Sequence, residues 1–147
     1  MRRAAVATAL VCMLVGASVA EAAIRGKYSG SFRDKNGTIS LTVSKKKRIV
    51  KITRGGFLMK CSDGQSYKRA ANTATGNGII ESDGSFDLVG DNEDGSVKFD
   101  LEGRFTSDTR VRGFLRETAR FNDRDELDPN GSILCKSGTI KFVAKRQ

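Results

Sequence analysis

The chain has 147 residues, with 26 Lys and Arg against 17 Asp and Glu, a formal net charge of +9 and no histidine. The missing imidazole excludes His-based triads, histidine general bases and His-ligated zinc. Tryptophan is also absent and aromatic residues make up only 7%, which leaves few platforms for stacking bases or sugars.

In chain order, Arg2 and Arg3 form a positive n-region, and residues 4–19 are apolar. Ser18-Val19-Ala20 and Ala20-Glu21-Ala22 both satisfy the small-x-small rule of signal peptidase. The apolar stretch is shorter than the roughly 20 residues a membrane span needs. Residues 1–22 therefore read as a cleaved signal peptide. Residues 23–147 read as one domain, secreted or periplasmic, with no transmembrane segment in the mature chain. Cleavage removes Cys12 and leaves Cys61 and Cys135, an even pair that in an exported chain reads as a disulfide. It would close a loop of about 75 residues, worth roughly 4.5 kcal/mol in the chain-entropy model. Nothing resembles the Cys-x-x-Cys of a redox site.

Asn36-Gly37, Asp63-Gly64, Asn77-Gly78, Asp83-Gly84, Asp94-Gly95 and Asn130-Gly131 punctuate the rest. Such pairs supply the positive φ of tight hairpin turns. Between them apolar residues recur with period two, the mark of a half-buried antiparallel strand. Ile39, Leu41 and Val43 alternate with hydroxyl residues. Val97, Phe99, Leu101 and Phe105 alternate with charges, as do Val111, Leu115, Ala119 and Phe121, although Glu117 falls on the apolar side. Weaker strands are expected at 27–33, 48–54, 57–61, 86–89 and 133–143. The best helical candidate, 65–74, has only a slight apolar face. The expected fold is all-β, a small antiparallel β-barrel or β-sandwich of about eight short strands, mostly up-and-down. The barrel is preferred because closure removes exposed edges.

The one basic surface feature singled out for contact is the turn Lys45, Lys46, Lys47 and Arg48, which projects between two strands. It is expected to contact anionic envelope or extracellular polymers, and no nucleic-acid module accompanies it. The arginines at 110–124 face a competing explanation. If the strand around Asp100 pairs with that around Arg116 through a turn at 106–109, acidic and arginine rows neutralise each other at about 0.2–1 kcal/mol per pair.

No catalytic constellation emerges, and no cofactor or metal is expected. Ser44 with Lys47 matches Ser-x-x-Lys, and Lys136-Ser137-Gly138 resembles Lys-Thr-Gly. The chain is too short for the scaffold those elements need, and Ser-Asp-Asn is missing. Asp100 and Glu102 sit on an outward face without a sugar platform. Two oxygen-rich clusters, Asp91, Asn92, Glu93 and Asp94, and Asp123, Asp125, Asp128 and Asn130, lack the full spacing of a calcium loop. The expected function is a non-enzymatic exported module for binding or structure. The alternatives are an enzyme inhibitor acting through a projecting loop at 122–131, or a barrel holding a small ligand or calcium.

The turn and strand motifs follow a familiar order: Gly37-Thr38-Ile39, Cys61-Ser62-Asp63-Gly64, Gly84-Ser85-Phe86, Gly103-Arg104-Phe105 and Val111-Arg112-Gly113. Cys135-Lys136-Ser137-Gly138 and Phe142-Val143-Ala144-Lys145-Arg146 close the chain. This resembles a loose group of small secreted bacterial β-proteins of unknown function. Their chains run Cys-x-x-Gly, Gly-x-Phe twice, and end near Cys-x-[Ser/Thr]-Gly with an aromatic-x-Ala-x-Arg tail. That tail often opens on tryptophan where this chain has Phe142. The resemblance implies an all-β architecture and the Cys61–Cys135 bond, and it brings no catalytic residue. Independently of it, Gly103 and Gly113 occupy core-facing strand positions, where a missing side chain lets a sheet bend sharply.

Overall fold

Alternating burial marks most of the strands. The computed structural model describes Ala23, residues 25–33 and residues 36–147, so the signal peptide read at 1–22 lies outside the described residues. Every regular element described is a strand: β1 (Gly26–Phe32), β2 (Thr38–Val43), β3 (Arg48–Gly55), β4 (Leu58–Cys61), β5 (Ser66–Lys68), β6 (Asn72–Ile79), β7 (Ser85–Asp91), β8 (Val97–Ser107), β9 (Arg110–Phe121), β10 (Ile133–Lys136) and β11 (Ile140–Arg146). The strands number eleven rather than about eight, for two reasons. The helical candidate at 65–74 is instead β5 and the start of β6, whose polar, exposed residues hide the strand period. The strand expected at 133–143 is broken at Gly138, which takes φ +66° between β10 and β11.

All ladders are antiparallel. The main run is β7-β8-β9-β11-β1-β2-β3-β6, and a wing of β10, β4 and β5 branches from β9. β9 makes the branch possible. One edge pairs with β8 along most of its length, while the other pairs with β11 up to Leu115 and with β10 from Thr118. The expected barrel is not closed, because no ladder joins β6 to β7. At that seam a side chain stands against bare backbone: a Cβ on Gly78 would lie 2.5 Å from Leu88 Cδ1. Asn77-Gly78, expected in a turn, therefore lies within β6, where the glycine accommodates Leu88.

The inward rows build one core. Tyr28, Leu41, Ile52, Leu101, Leu115 and Phe142 are fully buried within it, and side chains of this size contribute roughly 1.5–3 kcal/mol each. The inner row Phe86, Gly103, Gly113, Phe142 and Phe32 crosses five strands. Its two glycines leave room for neighbouring backbone and side chains to approach closely. A Cβ on Gly113 would meet the Glu102 carbonyl oxygen and lie 2.7 Å from Gly103 Cα.

Candidate functional site

The basic turn is a tight connection between β2 and β3. The Arg48 carbonyl accepts the Ser44 N–H at 2.9 Å, the Ser44 carbonyl accepts the Lys47 N–H at 3.1 Å, and the Ser44 hydroxyl accepts the Arg48 N–H at 3.3 Å. Lys47 takes φ +53°, which turns the chain without a glycine. Lys45, Lys46 and Lys47 are exposed. The registers bring more cations to the same end of the sheet. Gly26 pairs with Val43 and Tyr28 with Arg146, and Lys145 pairs with Arg110, so Lys27, Arg110, Lys145 and Arg146 lie towards the turn's end of the sheet.

The arginines of β9 are partly neutralised. Asp100 lies directly opposite Arg116, whose guanidinium bonds Asp100 at 2.9 Å and also Glu102. The hydrogen bond to Asp100, then the charges of Asp100 and Glu102, hold the Arg116 pKa above its ordinary value. Arg104 reaches Asp83 at 2.6 Å. Hydrogen bonds from Ser85, with a smaller contribution from Arg104, hold the Asp83 carboxyl below the usual range. Arg110 and Arg112 take no part in the ion pairs of the described residues.

One charged cluster escaped sequence reasoning. Glu117 is buried on the inner face of β9 and bonds Arg54 Nε at 2.6 Å and Arg69 Nε at 2.5 Å. Arg54 is the penultimate residue of β3 and Arg69 follows β5, so the cluster ties the wing connection to the main sheet. The Arg54 guanidinium stands 3.9 Å from the Phe99 ring centroid, and its Nη1 has no hydrogen-bond partner. Burial pushes the Arg54 pKa down, against the pull of Glu117. Two guanidinium groups around one carboxylate leave a net positive charge in the core. The position of Glu117 in an apolar row was the only sequence signal for it. Its backbone is fixed too, because its N–H donates to the Ser137 hydroxyl at 2.8 Å where β9 changes partner.

The predicted disulfide is present: Cys61 on β4 faces Cys135 on β10, with Cα atoms 3.9 Å apart. The loop at 122–131 is self-braced. Asn122 Oδ1 accepts the N–H groups of Arg124 and Glu126, Asp128 Oδ1 accepts that of Asn130, and Leu127 bridges back to Phe121. The two acidic clusters serve turns in this way, and among the described residues no three Cys, Asp or Glu side chains gather to hold a metal ion. No helix among them is long and apolar enough to cross a membrane. No protein-family model, curated protein or solved structure matches the chain.

Proposed function

We propose that this is an exported, non-enzymatic module of the cell envelope or extracellular space that contacts anionic polymers through Lys45, Lys46, Lys47 and Arg48. The observation that carries the reading is the exposure of three consecutive lysines on a tight turn, with Lys27 and Arg146 at the same end of the sheet. A disulfide suits an oxidising, exported location. Clustered cations raise the local concentration of a polyanion and speed its capture, an effect that salt screens. Replacing all four residues with Ser is expected to weaken adsorption to anionic bacterial envelopes at low salt, measured by co-sedimentation. Equal adsorption by variant and parent overturns the proposal.

The braced loop at 122–131 favours a second reading, an enzyme inhibitor that presents Leu127, which is 37% exposed. A rigid loop loses little conformational entropy when it enters a cleft. If so, the protein inhibits a secreted protease from a panel and Leu127→Asp abolishes that inhibition; no inhibition across the panel removes this reading.

A further inference from the structure

The ladders assemble one outward row across six neighbouring strands. Arg110 on β9 faces Lys145 on β11, which faces Ser29 on β1. Ser29 faces Ser40 on β2, Ser40 faces Thr53 on β3, and Thr53 faces Thr73 on β6. Side chains paired across strands share a face. None of the six is buried, and Thr53 and Thr73 already share a hydroxyl hydrogen bond of 2.8 Å. At roughly 4.8 Å per strand, the row runs about 24 Å, with two cations followed by four hydroxyls.

The rows on either side have the same character. Towards the basic turn stand Lys27, Thr42, Lys51 and Thr75; away from it stand Arg112, Val143, Ser31 and Thr38. No carboxylate occurs in any of the three rows, whereas Asp87, Asp100 and Glu102 crowd the outward side of β7 and β8. The segregation concentrates cations and hydroxyls on one face, with Val143 the only apolar side chain among them.

We propose that this face binds an extended acidic polysaccharide lying across the strands. The proposal rests on the reading of the protein as an anionic-polymer binder and identifies the polymer and the surface that reads it. Regularly spaced Ser and Thr hydroxyls both donate and accept, and so match a partner carrying hydroxyls along its length. Arg110, Arg112, Lys145, Lys27 and Lys51 supply charge-assisted bonds to carboxylates, the arginines in a bidentate fork. The rows have no aromatic side chain on which bases would stack and no large apolar group to enter a bilayer.

The test is fluorescence anisotropy with labelled polygalacturonate, and with polyphosphate as a polyanion lacking hydroxyls. Folding of each variant is checked by thermal melting. Ser40→Ala with Thr53→Val keeps the strand propensity and removes two central hydroxyls. This pair is expected to weaken polygalacturonate binding about tenfold, the scale of one or two hydrogen bonds, and to leave polyphosphate binding unchanged. Arg110→Ser with Lys145→Ser is expected to weaken both polymers and flatten the salt dependence. Loss of neither polymer, or equal loss of both, on removing the hydroxyls overturns the proposal, as does tighter binding of duplex DNA. If the parent binds polyphosphate but not polygalacturonate, this inference fails while the broader reading stands. If the parent binds neither, the broader reading fails.

Discussion

Glu117→Gln is expected to destabilise the protein by about 3–5 kcal/mol, the usual cost of breaking a buried ion pair by removing one partner. The carboxylate is fully buried and, among the described residues, is the only anion paired with Arg54 and Arg69, themselves 3% and 4% exposed. Glutamine keeps the shape but strands two guanidinium charges in the core. Arg54 already has one nitrogen without a partner and a pKa lowered by burial, so it has little reserve. A melting temperature lower by roughly 10–20 °C follows for a domain of this size. A companion variant separates charge from packing. Glu117→Leu with Arg54→Met and Arg69→Met removes all three charges together, and such replacements are often neutral or stabilising. It is expected to recover most of the loss. A Glu117→Gln melt within a degree or two of the parent would show that the cluster carries little of the stability.

Replacing Cys61 and Cys135 together with Ser is expected to cost about 2–4 kcal/mol. The bond spans 74 residues, so in the chain-entropy model it chiefly restricts the unfolded chain. Its local role is just as specific. β4 meets β10 at only two paired positions, Cys61 with Cys135 and Lys60 with Lys136. Without the covalent link the wing of β4 and β5 has a short ladder and the buried contacts of Phe57 and Met59 to hold it. Urea unfolding should show a lower midpoint and a larger m, because the released chain exposes more surface. Amide exchange should quicken first in β4 and β5. Unchanged midpoint and exchange would remove the bond from the account of stability.

What the sequence disclosed depended on which residues carried a local signal. Asp83-Gly84 and Asp94-Gly95 mark true turns, with glycine φ of +81° and +74°. The alternation in β8 and β9 disclosed both strands and made their pairing through a turn at 106–109 an open alternative, but the facing of Asp100 and Arg116 came only with the register of the fold. β6 was illegible because one face of Asn72–Ile79 meets solvent and the other is largely glycine and alanine, leaving no apolar period to read. The open seam was invisible for a related reason: β6 and β7 follow one another in the chain yet form no ladder, and at their seam Leu88 packs against Gly78, a contact that no alternation pattern records. Arg54 and Arg69 look like any of the 26 basic residues. Only assembly places both against Glu117. The hydroxyl row was equally hidden, because its six members come from six separate strands.

The pairing of β1 with both β2 and β11 has a consequence for the order of assembly. During synthesis β1 leaves the ribosome first among the described strands and β11 last. One edge of β1 is satisfied early by the adjacent hairpin, but the other stays open until the final strand, Ile140–Arg146, is made. Of the described strands, the two farthest apart in sequence are thus the ones that join the halves of the sheet. A nascent chain must wait with a bare edge, and a truncation that removed Ile140–Arg146 would leave that edge without its partner strand.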